Sequence, residues 1–439
     1  MDTLDALRAG ALKGKSRLDL ACDLTTFPPE IFDLAETLEI LNLSNNQLTT
    51  LPDDFGRLSK LKVVFLSQNH FDHLPEVLSQ CPQLSMVGVK ANQIQTVGDR
   101  ALPSALRWLI LTDNRIERLP ESLGRLKHLQ KLMLAGNRLR ELPDLSACRQ
   151  LQLIRISANR LAALPNWLFQ LPQLSWLAFA GNPCCPTHTT AQLLPDVDWH
   201  ALTVGDSLGE GASGIIFNAK WHQPGVSLPV AVKLFKGQIT SDGLPSDEMQ
   251  ACMAAGSHPN LITAMGRITS HPEGRDGLVL PLISADHTAL GQPPSLDSCT
   301  RDIYPPNTSF TIAQVVRIAT GIAAAACRLH SLGILHGDLY GHNILVNHRG
   351  DSLLGDFGAA SCYQPLRQAI GSQLERLEVR AFGYLLEDVL DHCRSAVPQD
   401  QEAIACLMQL KQRCLNPVPQ QRPCFEAIFD TLHHLKGAV

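Results

Sequence analysis

The sequence predicts an α/β solenoid of short repeats followed by an α+β domain of unrelated order. Three observations predict it. An asparagine recurs every 22 or 23 residues up to position 182, a glycine-rich hairpin carrying a lysine opens the second half, and aspartate-bearing motifs follow it in a fixed succession. The length of 439 residues suits two or three domains at roughly 100–200 residues each, every one large enough for its own core.

The repeat is L-x-x-L-x-L-x-x-N-x-L, first complete at Leu38, Leu41, Leu43, Asn46 and Leu48. Its asparagines stand at Asn46, Asn69, Asn92, Asn114, Asn137, Asn159 and Asn182. Each unit should give a short strand with leucines pointing inward, followed by a turn. A buried carboxamide, both donor and acceptor, can satisfy the backbone groups exposed at that turn, which no apolar side chain can do. Leu-Pro pairs at Leu51/Pro52, Leu74/Pro75, Leu119/Pro120, Leu142/Pro143 and Leu164/Pro165 then close the units, because proline removes a ladder donor. These residues resemble the leucine-rich repeat family over about 18–185. Leu18, Leu20, Leu24 and Phe27 read as an imperfect first repeat behind a helical cap at 1–17.

A solenoid of this kind displays alternate strand side chains on its concave face. One such column reads Asn42, Phe65, Gly88, Ile110, Met133, Arg155 and Ala178; the other reads Ile40, Val63, Met86, Trp108, Lys131, Leu153 and Trp176. So many large apolar groups on one face point to a protein-binding surface centred on Phe65, Trp108, Ile110, Met133 and Trp176. The competing use of that face is a contact with the second half of the same chain.

A linker at 186–199 follows, and Cys184 and Cys185 just before it read as packing rather than metal ligands. The run AGALKGKS at 9–16 mimics a phosphate loop, but no buried strand precedes it, so it is dismissed. A net charge of −5 and a pI near 6.3 argue against a broad basic surface for nucleic acid or anionic lipid. No uninterrupted apolar run reaches the 18 or so residues of a membrane span; the longest, 318–327, ends beside Arg328. The first sixteen residues lack a continuous apolar core, so no signal peptide is expected. Thirteen cysteines without a C-x-x-C pair fit reduced thiols and a cytoplasmic location.

The second half opens with Leu208, Gly209, Glu210, Gly211, Ala212, Ser213 and Gly214, a G-x-G-x-x-G run, followed by the strand-like Ile215, Ile216 and Phe217. A dinucleotide fold would need a helix there. Instead Val230, Ala231, Val232 and Lys233 follow, making a hairpin that carries a lysine. Glu248, with Asp247 beside it, precedes His258, Pro259, Asn260 and Leu261. Residues 277–283 read as a buried strand running into a connector. Then come His336, Gly337, Asp338 and Leu339 with Asn343, then Asp356, Phe357 and Gly358, and late in the chain Arg422 with Pro423.

In this order the motifs resemble protein kinases over about 200–437, which implies a two-lobed α+β protein-kinase-like domain behind the leucine-rich-repeat horseshoe. The resemblance implies that Gly209, Gly211 and Gly214 let backbone N–H groups approach the phosphates of ATP. Lys233 would hold phosphate and be oriented by Glu248, whose register against Asp247 is open. Leu280 would guard the adenine pocket, and Leu282 would offer backbone groups to the base. Asn343 and Asp356 would supply oxygen ligands to Mg²⁺, and Asp338 would take the acceptor proton.

Three departures stand out. Gly337 replaces the arginine that in this family commonly gathers a phosphorylated activation loop, so activity should not require that phosphorylation. Tyr340 and His342 stand where the family's serine/threonine and tyrosine classes carry a lysine and an arginine. Glu378 comes only 22 positions after Asp356, and no Ala-Pro-Glu is present, so the peptide-docking platform is expected to be truncated or absent. The expected function is an ATP-dependent protein kinase, serine/threonine preferred without being established, whose repeats capture a protein substrate or adaptor. A small-molecule phosphotransferase of the aminoglycoside or choline kinase type, or a non-catalytic ATP-binding scaffold, remains the alternative. The insert 284–309, with Asp297, Arg301, Asp302 and Tyr304, reads as a solvated loop rather than a wall of the cleft.

Overall fold

A computed structural model describes residues 3–185, 194–211, 213–237, 239–363, 367–394 and 400–436. Most of the linker read at 186–199 therefore lies outside the described residues. The chain divides into two compact units: Met1–Leu171 with Asn182–Cys184, and Pro172–Gly181 with Cys185–Val439.

The first unit begins with a short helix, α1 (Thr3–Arg8). Seven three-residue strands follow: β1 (Arg17–Asp19), β2 (Ile40–Asn42), β3 (Val63–Phe65), β4 (Met86–Gly88), β5 (Trp108–Ile110), β6 (Lys131–Met133) and β7 (Leu153–Arg155). Each pairs in parallel with the next, with Ile40 opposite Val63 and Met86 opposite Trp108. The central residue of each later strand (Leu41, Val64, Val87, Leu109, Leu132 and Ile154) is fully buried. Burial of such a side chain contributes about 1.5–3 kcal/mol over exposure.

The asparagines do the work expected of them. Asn137 accepts from the Ile116 N–H at 3.1 Å and donates to the carbonyls of Leu111 and Leu134, each at 2.9 Å. Asn69, Asn92, Asn114 and Asn159 repeat the pattern. The preceding residue turns the chain through a positive φ, at Asn45, Gln68, Ala91, Asp113, Gly136 and Ala158. This kink exposes the backbone groups that the carboxamide then satisfies. On the outer side the connections are 3-10 turns at Pro29–Leu34, Glu76–Gln80, Glu121–Arg125 and Asn166–Gln170. A proline stands directly before each, at Pro28, Pro75, Pro120 and Pro165. Three of the five Leu-Pro pairs, those ending in Pro75, Pro120 and Pro165, thus also set the φ that launches the turn, whereas the 3-10 turn Phe55–Arg57 follows Asp54.

The second unit takes in the last repeat strand, β8 (Trp176–Ala178), with the segment around it. Next come β9 (Asp196–Asp198), β10 (Leu202–Glu210), β11 (Gly214–Gln223), β12 (Val226–Phe235), helix α2 (Pro245–Ala255), β13 (Gly266–Thr269) and β14 (Gly277–Pro281). The strands form one sheet in the order β10-β11-β12-β14-β13-β9. Its core packs Val197, Val230, Val232, Ile268 and Val279.

Beyond the sheet lies the helical part. It runs β15 (Thr288–Ala289), α3 (Ile312–Ser331), β16 (Ile334–Leu335), β17 (Ile344–Val346), β18 (Ser352–Leu354), β19 (Ser361–Cys362), α4 (Arg367–Asp391), α5 (Gln401–Cys414) and α6 (Phe425–Lys436). A reciprocal capping box starts α3: Thr311 accepts from the Gln314 N–H at 3.3 Å, and Gln314 accepts from the Thr311 N–H at 2.8 Å. By length and composition α3 is apolar enough to cross a membrane, although Gln314, Arg317 and Arg328 interrupt its apolar run. About two-thirds of it (67%) is buried within the protein, as the core helix of a folded unit would be. Helix α4 begins at Arg367, so only residues 357–366 separate it from Asp356.

Candidate active site

Lys233 sits in the middle of the sheet, on β12, opposite Ile216 of β11 and Leu278 of β14. Paired strands on both sides fix its backbone, and its ammonium pairs with Glu248 of α2. Both side chains are nearly excluded from solvent, at 12% and 5% exposure. Burial alone would push the Lys233 ammonium down, but the charges of Glu248 and Asp356 outweigh it and hold the pKa above its ordinary value. The open register is resolved in favour of Glu248. Asp247 is half-buried, with its Oδ2 shielded from solvent and without a hydrogen-bond partner, and this desolvation pushes its carboxyl up to about 6.

The glycine-rich loop joins β10 to β11, and the Gly211 N–H donates to the Gly214 carbonyl at 2.9 Å. A Cβ on Gly214 would lie 2.5 Å from the Leu234 carbonyl oxygen, so glycine is needed there for close packing against β12. Around Gly209 and Gly211 nothing lies within 4 Å of the Cβ position, which leaves their backbone accessible to a ligand. Lys236 braces the loop through the Gly211 carbonyl at 2.9 Å and Glu210 at 2.7 Å. Below it a cavity of about 100 Å³ is lined by Ser213, Gly214, Lys233, Thr240, Asp242 and Asp356, among others. Leu280 is buried on β14, whereas Leu282, just past the strand end, is exposed.

The second group of residues hangs from the helical part. His336 is fully buried and its Nε2 lies 3.0 Å from the Gly355 carbonyl. Asn343 donates to Asp338 twice, to the backbone carbonyl at 3.0 Å and to Oδ2 at 2.8 Å. Its amide nitrogen is thereby engaged, which leaves the side-chain oxygen as the group available to a cation. Asp356 has a positive φ of 55° and its Oδ1 accepts from the Gly358 N–H at 3.1 Å. Phe357 is buried with its ring centroid 5.4 Å from that of His336. The charge of Asp356 is felt at Lys233, and those of Asp338 and Asp356 together at His342. Lysine, carboxylates and glycine loop therefore converge. Two hard oxygen donors, Asn343 and Asp356, suit a small divalent cation.

Several determinants escaped the sequence reading. Glu378 of α4 is completely buried, accepts from the Gly337 N–H at 2.7 Å and the His336 N–H at 3.4 Å, and lies 2.8 Å from His330 Nε2. Burial would raise its pKa, but the His330 contact and the Gly337 N–H hold it below the ordinary value. The insert is no solvated loop at 301–304. Asp302 grips His342 through Nδ1 at 2.7 Å and the backbone N–H at 3.1 Å. Arg301 pairs with Glu387 at 2.8 Å and with Asp388, its guanidinium 4.3 Å from the Tyr384 ring centre. Only the Asp-rich spacing before Tyr304 could have hinted at this.

The apolar repeat surface is reproduced only in part. In the first unit Phe65, Trp108 and Ile110 are half-buried, and a Cβ on Gly88 would touch both Phe65 and Ile110. Met133 is buried with its sulfur 3.4 Å from Trp108 Nε1. Trp176 does not belong to that surface. It is 1% exposed and belongs to the second unit, where its ring stacks on Tyr340 at 4.2 Å and its Nε1 donates to the Leu339 carbonyl at 3.2 Å. Strand alternation puts a side chain on a face; it does not say what covers it. Tyr340 is correspondingly buried.

A lysine and acid pair, a glycine loop, an Asp/Asn loop and an Asp-Phe-Gly turn lie in one cleft, the arrangement of a protein-kinase-like fold. Residues 202–380 match the protein tyrosine and serine/threonine kinase family, and residues 16–71, 36–94, 82–139 and 104–161 match leucine-rich repeats. The chain thus carries leucine-rich repeats followed by a protein kinase domain. It is 25% identical over 285 residues to the probable serine/threonine-protein kinase gdt2 of Dictyostelium discoideum, covering 56% of this chain and 16% of that protein. It is 27% identical over 181 residues to the serine/threonine-protein kinase PknK of Mycobacterium tuberculosis, covering 40% and 15%. With cyclin-dependent kinase 11.1 of Caenorhabditis elegans the figures are 25% over 202 residues, covering 45% and 26%. The chain therefore spans about a sixth of the first two relatives and a quarter of the third.

Proposed function

We propose that the second unit transfers the γ-phosphoryl group of ATP to a hydroxyl of a protein, with serine or threonine as the preferred acceptor. The observation that carries this reading is the convergence of Lys233, paired with Glu248, on the same cleft as Asp338, Asn343 and Asp356. The acceptor oxygen attacks the γ-phosphorus while the bond to the bridging oxygen of ADP breaks. Asp338, held by Asn343, takes the acceptor proton. Lys233 neutralises phosphate charge, and the backbone N–H groups of the glycine loop cradle it. Mg²⁺, held by Asp356 and Asn343, would supply charge neutralisation at the phosphates. The serine/threonine preference draws on the names of the relatives.

The half-buried patch of Phe65, Trp108 and Ile110 supports capture of a protein substrate or adaptor by the repeats. Thirteen free thiols support residence in a reducing compartment such as the cytoplasm. One observation favours a second reading: with only residues 357–366 between Asp356 and α4, a peptide-docking loop has little room, as in small-molecule phosphotransferases. The test is radiolabelled ATP with Mg²⁺ on the native protein and on Asp338→Asn and Asp356→Asn. Label entering protein, and lost in both variants, supports the proposal. Label entering only a small acceptor supports the second reading, and binding of ATP without transfer refutes both.

A further inference from the structure

The catalytic loop, residues 336–343, must hold Asp338 still, because a displacement near 1 Å can cost about a hundredfold in rate. Two anchors have been described: Glu378 beneath His336 and Gly337, and Asn343 on Asp338. A third comes from a segment whose sequence is that of a repeat. The indole of Trp176 lies parallel to the Tyr340 ring (7° between planes, 4.2 Å between centres) and also stacks on Tyr384 at 5.6 Å. Its N–H satisfies the carbonyl of Leu339, the residue directly after Asp338. Tyr340 also packs against His342, at 5.0 Å between centres and 32° between planes. The ring that replaces the family's phosphate-binding lysine is thus part of a stack, in which Trp176 contacts both Tyr340 and Tyr384.

The same segment also holds the turn after Asp-Phe-Gly. The N–H groups of Phe179 and Ala180 both donate to Ser361 Oγ, at 2.9 and 3.1 Å, and the Cys185 thiol donates to the Cys362 carbonyl at 2.7 Å. At its start the Pro172 carbonyl accepts from Arg422, whose other donors engage the Asn416 and Arg376 carbonyls, each contact at 2.9 Å. Between these points the Leu177 carbonyl lies directly under Gly337, 2.5 Å from where a Cβ would stand. One decapeptide, Pro172–Gly181, therefore binds the catalytic loop and the post-Asp-Phe-Gly strand together. We infer that Trp176 is a positioning residue of the phosphoryl-transfer site, acting on Asp338 through the Leu339 carbonyl and the Tyr340 ring. This rests on the kinase reading above.

The test uses the full chain, with Trp176→Phe, which keeps a stacking ring but loses the N–H donor, and Trp176→Ala, which loses both. Two readouts are taken: kcat and KM for ATP with a generic protein acceptor, and hydrogen exchange of peptides covering 336–343 and 230–255. The expected result for Trp176→Ala is a kcat lowered about tenfold to a hundredfold at nearly unchanged KM. Exchange should quicken at 336–343 but not at 230–255. Trp176→Phe should fall between it and the wild type on both measures. Wild-type kcat and wild-type exchange at 336–343 in both variants would overturn the inference. If Trp176→Ala does not fold, Trp176→Phe decides alone by the same two readouts. Absence of transfer in the wild type refutes the kinase reading itself, and loop exchange then still decides whether Trp176 positions residues 336–343.

Discussion

Replacing Gly337 by alanine tests the geometry of the catalytic loop with a single methyl group. Gly337 has φ +74°, a left-handed conformation that costs an L-residue about 1–2 kcal/mol. The added Cβ would stand 2.5 Å from the Leu177 carbonyl oxygen and 2.7 Å from that of Ala359. Both are backbone atoms, one on strand β8 and the other in the turn after Asp-Phe-Gly, so neither yields as a flexible side-chain tip would. Overpacking of this kind adds about 1–3 kcal/mol. The sum, about 2–5 kcal/mol, corresponds to a fall of about 5–15 °C in the unfolding temperature for a unit of this size. Gly225 supplies the control: its φ is +81°, but nothing lies within 4 Å of its Cβ position. Gly225→Ala should therefore show only the conformational part, about 1–2 kcal/mol. Thermal unfolding followed by near-ultraviolet circular dichroism, with phosphoryl transfer measured on the same samples, compares the two. If Gly337→Ala melts no lower than Gly225→Ala and transfers phosphate at the wild-type rate, the packing of Leu177 and Ala359 around the loop is wrong.

Three further outcomes are expected. Asp247→Asn should stabilise the protein at pH 7.5 by about 1–3 kcal/mol and do nothing at pH 4. The folded carboxyl, pushed up to about 6, binds its proton more tightly than the unfolded one, so its penalty exists above pH 6 and fades on acidification toward 4; urea unfolding at the two pH values checks the sign. Asn137→Ala should cost about 3 kcal/mol, since three buried backbone groups lose their partner, and hydrogen exchange should localise the damage to the strands Lys131–Met133 and Trp108–Ile110. A fragment starting at 172 should fold and melt cooperatively, whereas one starting at 194, which keeps β9, should be poorly soluble because it lacks the partners of Tyr340 and Ser361. Equal melting of the two fragments would count against an integral role for Pro172–Gly181.

The horseshoe was legible because its determinants are local and periodic. Each asparagine binds backbone groups about one repeat away, so a fixed spacing is both cause and signature. The cleft was legible for another reason: bare glycines, a strand lysine and an Asp/Asn pair admit few other uses when they come in this order. What escaped the reading depends on contacts between distant residues. Glu378 looked like any helix glutamate until it met two N–H groups from position 336 onward. Asp302 sat in a stretch rich in proline and polar residues, where nothing local marks burial against His342. Trp108 and Trp176 occupy the same repeat column, yet one is half-buried in the first unit and the other is sealed inside the second. The period determines on which side of a strand each ring stands, and only the tertiary structure determines what it meets.

Gly337 and Trp176 are best understood together. An arginine at position 337 would need a right-handed φ and open space along its Cα–Cβ bond. The Leu177 carbonyl fills that space, and Leu177 is the neighbour of Trp176 on β8. A loop held by this strand therefore has no room for an arginine that answers to phosphorylation, and a loop with that arginine could not accept the strand so closely. The chain holds its catalytic loop by stacking and by backbone hydrogen bonds that need no modification to form.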